Sequence, residues 1–407
     1  SEAKYANDIA TMLPLAGVRV LAVEQYGAGP FGSQFLADLG AEVIKIENPH
    51  DGGDVSRQVG PFYFDQDAGD SHFFQAFNRN KKSLTLNLKS EQGRSLFREL
   101  VATADAVTNN LRGDQPERLG LTYDDLKDVN PAIVCAHLSA YGRQGSRKTW
   151  PGYDYLMQAE AGYLSLTGEP DGPPARFGLS IVDMMTGLAC AYGLVACLHG
   201  ARRDGIGRDV DTSLFDVALH NLSYPGVWYL NEGYVQGREK RGAHPSLVPS
   251  QSYKTKDGWL LIMCNKEKFW PILCHAIGRP QWADDPRYAR FAERLKRRDE
   301  ITEMLDDALS ARTTDEWVAE LAGSVPVAPV YNVAEALENP FVAEQGRVAD
   351  FTYPDGHAIR NLTGPVQVSE ATPTRAAPAY GADTDALLEE LGYSDSDIAR
   401  LRSAGAI

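Results

Sequence analysis

Clustered positive charge is scarce in this chain of 407 residues: 40 Lys and Arg stand against 55 Asp and Glu, a net charge of -15. A nucleic-acid surface needs Lys and Arg gathered on one face. The single basic run, Arg294-Leu295-Lys296-Arg297-Arg298, lies in an acidic helical stretch and fits a solvated face, so nucleic acid is not an expected partner. Cysteine is sparse as well. Cys135, Cys190, Cys197, Cys264 and Cys274 are an odd number without the short spacings of metal ligands, and four lie in apolar runs. They are expected to be buried thiols of a reducing compartment, with no metal site. No charged-then-apolar leader opens the sequence, which leads us to expect a cytoplasmic location. Internal repeats and low-complexity tracts are missing, and one apolar run alone raises the question of a membrane. It extends from Ile181 to His199, contains Asp183, Thr186, Gly187 and Gly193, and is flanked by polar sequence, which disfavours a span.

What is present is ordinary globular composition, 43% hydrophobic and 23% charged, in a chain too long for one core. Two domains, or one with a large insertion, are expected. The apolar run predicts a buried helix near the centre of a domain, with Asp183 its one acid. A carboxylate taken out of water without a partner is costly, so Asp183 must be capped, paired or used in chemistry. Capping the first-turn N–H groups is the common use of such an acid, and the residues alone leave that alternative open.

Strand and helix signals alternate through the first half. Residues 18–23 predict a buried strand, Gly27-Ala28-Gly29-Pro30-Phe31-Gly32 a glycine-rich turn, residues 33–40 a helix and residues 42–47 a second strand. The turn satisfies G-x-G-x-x-G with Glu47 at a fitting distance, which raises a nicotinamide dehydrogenase. Pro30 counts against that, because it removes an N–H from the turn that would hold the pyrophosphate. Residues 49–80, rich in Gly, Asp and aromatics, are expected to form a long functional loop. Strands at 83–88, 106–109 and 132–138 alternate with helices at 91–104 and 123–129, the pattern of a mostly parallel sheet covered on both faces. His137 is expected to be an ordinary strand-end residue. From Val210 the rhythm changes to a helical stretch at 213–231, a hairpin at 253–263 turning on Asp257-Gly258, further helices and a return strand at 327–330, which together predict a second, α+β domain. A hairpin at 348–362 and a capped helix at 383–393 close the chain.

Several pieces are more specific: Leu15-Ala16-Gly17-Val18-Arg19-Val20-Leu21, Leu39-Gly40-Ala41-Glu42-Val43-Ile44-Lys45-Ile46-Glu47, Asn78-Arg79-Asn80-Lys81-Lys82-Ser83, Glu117-Arg118-Leu119-Gly120-Leu121, Pro151-Gly152-Tyr153-Asp154 and the segment around Asp183. In this order and spacing the chain resembles, over nearly its whole length, the class III coenzyme A transferase family, which also contains the α-methylacyl-CoA racemases. The resemblance implies an α/β fold: a Rossmann-like large domain with a parallel sheet (residues 1–215 and 330–407), a smaller inserted α+β domain (residues 216–329), and an interlocked, ring-like dimer of identical or related chains. It implies a CoA-transferase whose catalytic Asp183, in the pattern Asp-x-x-x-Gly ending at Gly187, forms a mixed anhydride and then an aspartyl-CoA thioester. CoA-contacting positions carried over from the family fall on Leu86, Lys89, Asn110, Leu111 and Arg118, of which Lys89 and Arg118 suit the CoA phosphates. Ala28 in the glycine turn corresponds to an oxyanion donor, Tyr153 and Asp154 lie beside the site, and His244 belongs to a glycine-rich loop that covers it. No tightly bound cofactor is implied. Acyl-CoA and a carboxylic acid are the substrates, and succinyl-CoA is a frequent donor among relatives.

Where relatives often carry arginine after the acid ending the second strand, this chain has Asn48, which leaves Arg57 or another cation for the nucleotide end. Arg176, Arg241 and His244 are candidates for a second substrate carboxylate. A racemase is the nearest alternative, but a histidine precedes the Asp154 position in racemases and Tyr153 stands there. A phenol with a reference pKa near ~10 is a poor proton carrier at neutral pH. A catalytically silent CoA-binding subunit is a second alternative, against which the retention of Asp183 counts.

Overall fold

The computed structural model describes residues 12–407, so the expected lead-in at residues 1–14 lies outside the described residues through residue 11. The described chain divides into two units. The first takes the chain up to Ala161, Leu179–Leu222 and Ala343–Ile407; the second takes Gly162–Gly178 and Ser223–Val342. This division differs from the expected bounds chiefly at Gly162–Gly178. That loop joins the second unit because the Arg238 guanidinium donates to the carbonyls of Leu164, Glu169 and Gly172.

The first unit is built on six parallel strands: β1 (Arg19–Val23), β2 (Glu42–Glu47), β3 (Lys82–Thr85), β4 (Ala106–Asn109), β5 (Val134–Ser139) and β6 (Arg208–Ser213). Their spatial order is β3-β2-β1-β4-β5-β6, the doubly wound Rossmann arrangement, in which the order of strand addition reverses between β1 and β4. The inner strands are short apolar runs because both faces are covered. On one face Leu21, Ile44, Leu84, Val107 and Cys135 pack in one core with Leu96, Phe97 and Leu100. Strand β6, Arg208-Asp209-Val210-Asp211-Thr212-Ser213, is an addition to the expected set. It pairs only with β5, and its charged, partly exposed residues suit an edge strand, so no apolar run announces it.

Residues 49–80, expected as one long functional loop, include regular structure. They contain a short helical turn at Val55–Gln58, a small hairpin of Tyr63–Asp65 with Asp70–Ser71, and the helix His72–Asn78. Ser71 caps that helix by accepting the Phe74 N–H. Phe74 is fully buried, and the Arg57 guanidinium lies 3.9 Å from its ring centroid while pairing with Glu47, which ties the segment to β2.

Four helices matter below: α1 (Ala28–Asp38), α2 (Glu91–Val101), α3 (Asp154–Glu160) and α4 (Ile181–Asp204). Helices α1 and α4 meet backbone to backbone. A Cβ on Gly32 would stand 2.2 Å from the Gly187 carbonyl oxygen, and one on Gly187 would stand 2.3 Å from the Ala28 carbonyl oxygen. Two glycines of the sequence patterns therefore serve one contact. Helix α4 is buried on one side only, not all round as its composition predicts. Val182, Thr186, Cys190 and Leu194 face inward, while Leu188 and Tyr192 are 48% and 76% exposed.

The second unit has a three-stranded antiparallel sheet, Ser250–Lys254, Trp259–Met263 and Val327–Pro329, with helices. Tyr253, Trp270, Tyr288, Leu305 and Trp317 lie in its core.

Gly32→Ala tests the helix contact. Alanine in a helix interior ordinarily gains up to about 1 kcal/mol over glycine. Here the expected result is a loss of about 2 kcal/mol from overpacking, measured by denaturant unfolding.

Candidate active site

The reversal between β1 and β4 opens a crevice at their carboxyl ends, where ligands bind in folds of this kind. A cavity of about 560 Å³ occupies it. Gln25, Tyr26, Gly27 and Ala28 from the turn after β1, Asn110, Leu111 and Arg112 after β4, Ser139 and Ala140 from β5 onward, Tyr153 and Asp183 all line it.

Asp183 sits in the first turn of α4, yet it does not cap that helix. Its backbone N–H donates to Asp154 Oδ2 at 2.7 Å, and Asp154 Oδ1 accepts from Gln158 Nε2 at 2.6 Å. The buried Asp154, heading α3, thus performs the capping role, which leaves Asp183 with no hydrogen bond to its carboxylate among the described residues. Asp183 Oδ2 lies 3.3 Å from where a Cβ on Gly27 would be, beside the N-cap of α1. First-turn N–H groups such as that of Ala28 have no intrahelical acceptor. Burial, and secondarily the negative charge of Asp154, push the Asp183 carboxyl up to about 7. The glycines of the G-x-G-x-x-G pattern are thereby explained without a dinucleotide. Gly27 makes room for Asp183, Gly29 for Asn110 and Gly32 for Gly187.

The turn is held from below by buried charge that sequence reading missed. Asn110 grips the Gln25 backbone on both sides, its Oδ1 accepting the N–H at 3.0 Å and its Nδ2 donating to the carbonyl at 2.6 Å. Tyr26 adopts a left-handed φ of 71° and donates its N–H to Asp54 Oδ1 at 2.9 Å. Asp54 pairs with Lys45 at 2.8 Å, and Glu24 with Lys81 at 3.1 Å, all fully buried. Burial lowers the Lys81 ammonium to about 8 despite the opposing pull of Glu24. The available signal was a lysine inside the apolar strand Glu42-Val43-Ile44-Lys45-Ile46-Glu47, since a buried lysine must be paired.

A second cavity of about 240 Å³ lies at the ends of β1, β2 and β3, and Gln25 and Leu111 line both. Leu86, Lys89 and Leu111 line the second, and Lys89 is exposed with no ion-pair partner among the described residues. Ala28, Asn110, Leu111, Tyr153 and Asp183 line the first, with Asp154 behind Asp183. Arg118 lines neither; it is 67% exposed and 3.5 Å from Asp114. Arg57 is not available to a nucleotide. It is 2% exposed, and two of its nitrogens bond Glu47 at 2.8 Å each. His244 belongs to the second unit, where Nδ1 accepts the N–H groups of Ser246 and Leu247 at 3.1 Å; burial, then Arg298, lowers its pKa. Arg241, also there, pairs with Asp306 at 2.8 Å, and Arg176 donates to the Phe177 carbonyl. Arg112 was overlooked in the sequence: it lines the first cavity, with Nε and one terminal nitrogen on Asp114.

A family model described as CoA-transferase family III matches residues 15–384. The chain belongs to that family. It is 34% identical over 93% of its length to a succinate–glutarate CoA-transferase of Agrobacterium fabrum, covering 96% of that protein. It is 36% identical over 81% of its length to an acetyl-CoA:oxalate CoA-transferase of Acetobacter aceti, covering 84% of it. Among solved structures, a CAIB/BAIF family protein from Brucella suis superimposes with a TM-score of 0.81 at 32% identity, covering 93% of this chain and 99% of that one. This transferase is therefore a family III enzyme with an α/β fold and a parallel central sheet.

The raised Asp183 pKa has a stability consequence of definite sign. Between the unfolded carboxyl value near ~4 and the folded value of about 7, the folded state holds the extra proton, so this residue's contribution falls as pH rises through that window. Asp183→Asn removes the effect. The variant should match the parent near pH 4 and exceed it at pH 8 by an amount on the order of 3 kcal/mol, read from unfolding curves at the two pH values.

Proposed function

We propose that this family III enzyme moves coenzyme A from an acyl-CoA donor to a carboxylic acid through covalent intermediates on Asp183. The carrying observation is a desolvated carboxylate with no hydrogen-bond partner among the described residues, beside the N-terminus of α1 and lining a cavity of about 560 Å³. A carboxylate is a weak nucleophile. Held against a thioester carbonyl it gains the advantage of a pre-oriented attack, on the order of 7 kcal/mol in good geometry.

The ionised Asp183 oxygen attacks the acyl carbonyl, the C–S bond breaks, and a mixed anhydride and CoA thiolate result. The retained thiolate attacks the aspartyl carbonyl, giving an aspartyl-CoA thioester and releasing the first acid with the bridging oxygen. The acceptor carboxylate then attacks that thioester, and thiolate attack on the new acyl carbonyl releases acyl-CoA and restores Asp183. Each tetrahedral step develops an oxyanion, and Ala28, which lines the same cavity, is our candidate to donate its N–H to one. Asp154 acts as a positioning residue by fixing the Asp183 backbone. Leu86, Lys89, Asn110 and Leu111 suit the CoA body, with Lys89 the cation for its phosphates. Arg118, on the open surface, adds at most a screened contribution. Racemisation would need two proton carriers about one α-carbon. Both Asp154 oxygens are already engaged, and Tyr153 is 67% exposed.

The relatives named for glutarate and oxalate make dicarboxylic acids the substrate class we favour. Among the residues lining the first cavity Arg112 is the one cation, which makes it the candidate for a second carboxylate. We also propose that the functional form is a dimer. Helix α4 leaves Leu188, Tyr192 and Val195 exposed along one face, and a second copy would remove that apolar surface from water.

Acyl-CoA mixed with enzyme and quenched with hydroxylamine should leave a hydroxamate on Asp183, detected by peptide mass spectrometry, and Asp183→Ala should lose it together with at least ~10³-fold of the rate. A modified peptide elsewhere would contradict the assignment. For the parent, kcat/KM should fall below a pH of about 7, because the protonated acid cannot attack. Sedimentation at micromolar concentration should give a dimer, and replacing Leu188 and Tyr192 together with glutamate should give monomers.

A further inference from the structure

We infer that His137 is a positioning residue for the coenzyme site, acting through Asn109 on Leu111, which lines both cavities, and on its neighbour Asn110, which lines the first. This rests on the proposed CoA transfer, and the test below separates the two.

Asn109 ends β4 and His137 lies in β5, paired with it in register. Both are buried, at 1% exposure each. The Leu111 N–H can only donate, so the Asn109 atom 3.2 Å away must be the amide oxygen. The other amide atom, 2.7 Å from His137 Nδ1, is then the NH₂ group, which can also only donate. Nδ1 must therefore be a bare acceptor, and the ring proton sits on Nε2. Across the ring, Nε2 meets Asp209 Oδ1 at 2.7 Å. Burial alone would raise the Asp209 carboxyl, but the His137 hydrogen bond, the Tyr123 N–H and the Arg143 guanidinium outweigh it and hold it below the usual range. Asp209 thus accepts and His137 donates, so both ends of the relay require the same tautomer.

The relay runs from the edge strand to the site. Asp209 fixes the ring, the ring fixes the Asn109 amide, and that amide holds the Leu111 N–H where the chain leaves β4. The next link is Asn110, which grips both sides of the Gln25 backbone and so carries the placement to the turn beside Asp183. A structural filler in the sheet would need the ring's volume and not the acceptor at Nδ1.

Asparagine and glutamine at position 137 distinguish these roles, because an asparagine oxygen reaches the place of Nδ1 and a glutamine amide reaches the place of Nε2. CoA binding is read by calorimetry, and steady-state kinetics give KM for acyl-CoA and kcat. His137→Gln should weaken CoA binding about tenfold, the effect of leaving one buried donor unpaired. Its kinetic loss should fall more on KM than on kcat, and His137→Asn should recover most of it. Equal behaviour of the two variants, or better binding by the glutamine variant, would overturn the inference. If neither variant folds, ring NMR of the parent decides. A neutral ring protonated at Nε2 supports the relay, and a ring protonated at Nδ1 overturns it. Parent enzyme that does not bind CoA would sink the proposed function instead.

Discussion

Everything at the site depends on how closely two helix backbones approach. Gly32 and Gly187 leave no space for a Cβ between α1 and α4. That contact places the first turn of α4, and with it Asp183, beside the first turn of α1, where unsatisfied N–H groups point. A helix pair held apart by ordinary side chains would separate the acid from the donors by an ångström or more, enough to forfeit much of the gain from orientation. The parallel sheet supplies the other coordinate: both helix ends lie at the reversal between β1 and β4 because the chain order places them there.

Buried charge is treated in two opposite ways within this small region. Glu24, Glu47 and Asp54 are matched by Lys81, Arg57 and Lys45, so the floor beneath the Gln25–Tyr26 turn carries three acids and three cations. Matching of this kind avoids the cost of an isolated buried ion and holds a left-handed tyrosine in place. Asp183 has no such partner among the described residues, and Asp154 adds repulsion while ordering its backbone. The site is therefore less stable above neutral pH than it would be with a neutral residue there, a trade that suits the nucleophilic role proposed for Asp183.

Much of this was legible in the chain itself. The strands β1, β2 and β4 follow from short apolar runs between turn signals, and Asp183 stands out as one acid in an apolar helix. What stayed hidden has physical reasons. Strand β6 is an edge strand made of charged residues, so it lacks the run that marks its neighbours, and its Asp209 was not connected with His137. The helix at His72–Asn78 was obscured by a glycine-rich, acidic surrounding, although Phe73, Phe74 and Phe77 lie within it. Arg57 looked available from its position after Asn48; only the fold shows its pairing with Glu47. The exposed face of α4 could not be read from composition, because a helix apolar all round suits a single-chain core and an interface between copies alike.

In the proposed route an Asp183 oxygen forms and breaks bonds to the acids being exchanged. Giving the enzyme a stoichiometric amount of acyl-CoA and an acceptor acid labelled with ¹⁸O in its carboxylate, then mapping the label after a single turnover, follows that oxygen. The peptide containing Asp183 should gain one labelled oxygen, left behind when the thiolate takes the new acyl group. Product formation with no label on that peptide would rule out the aspartyl route.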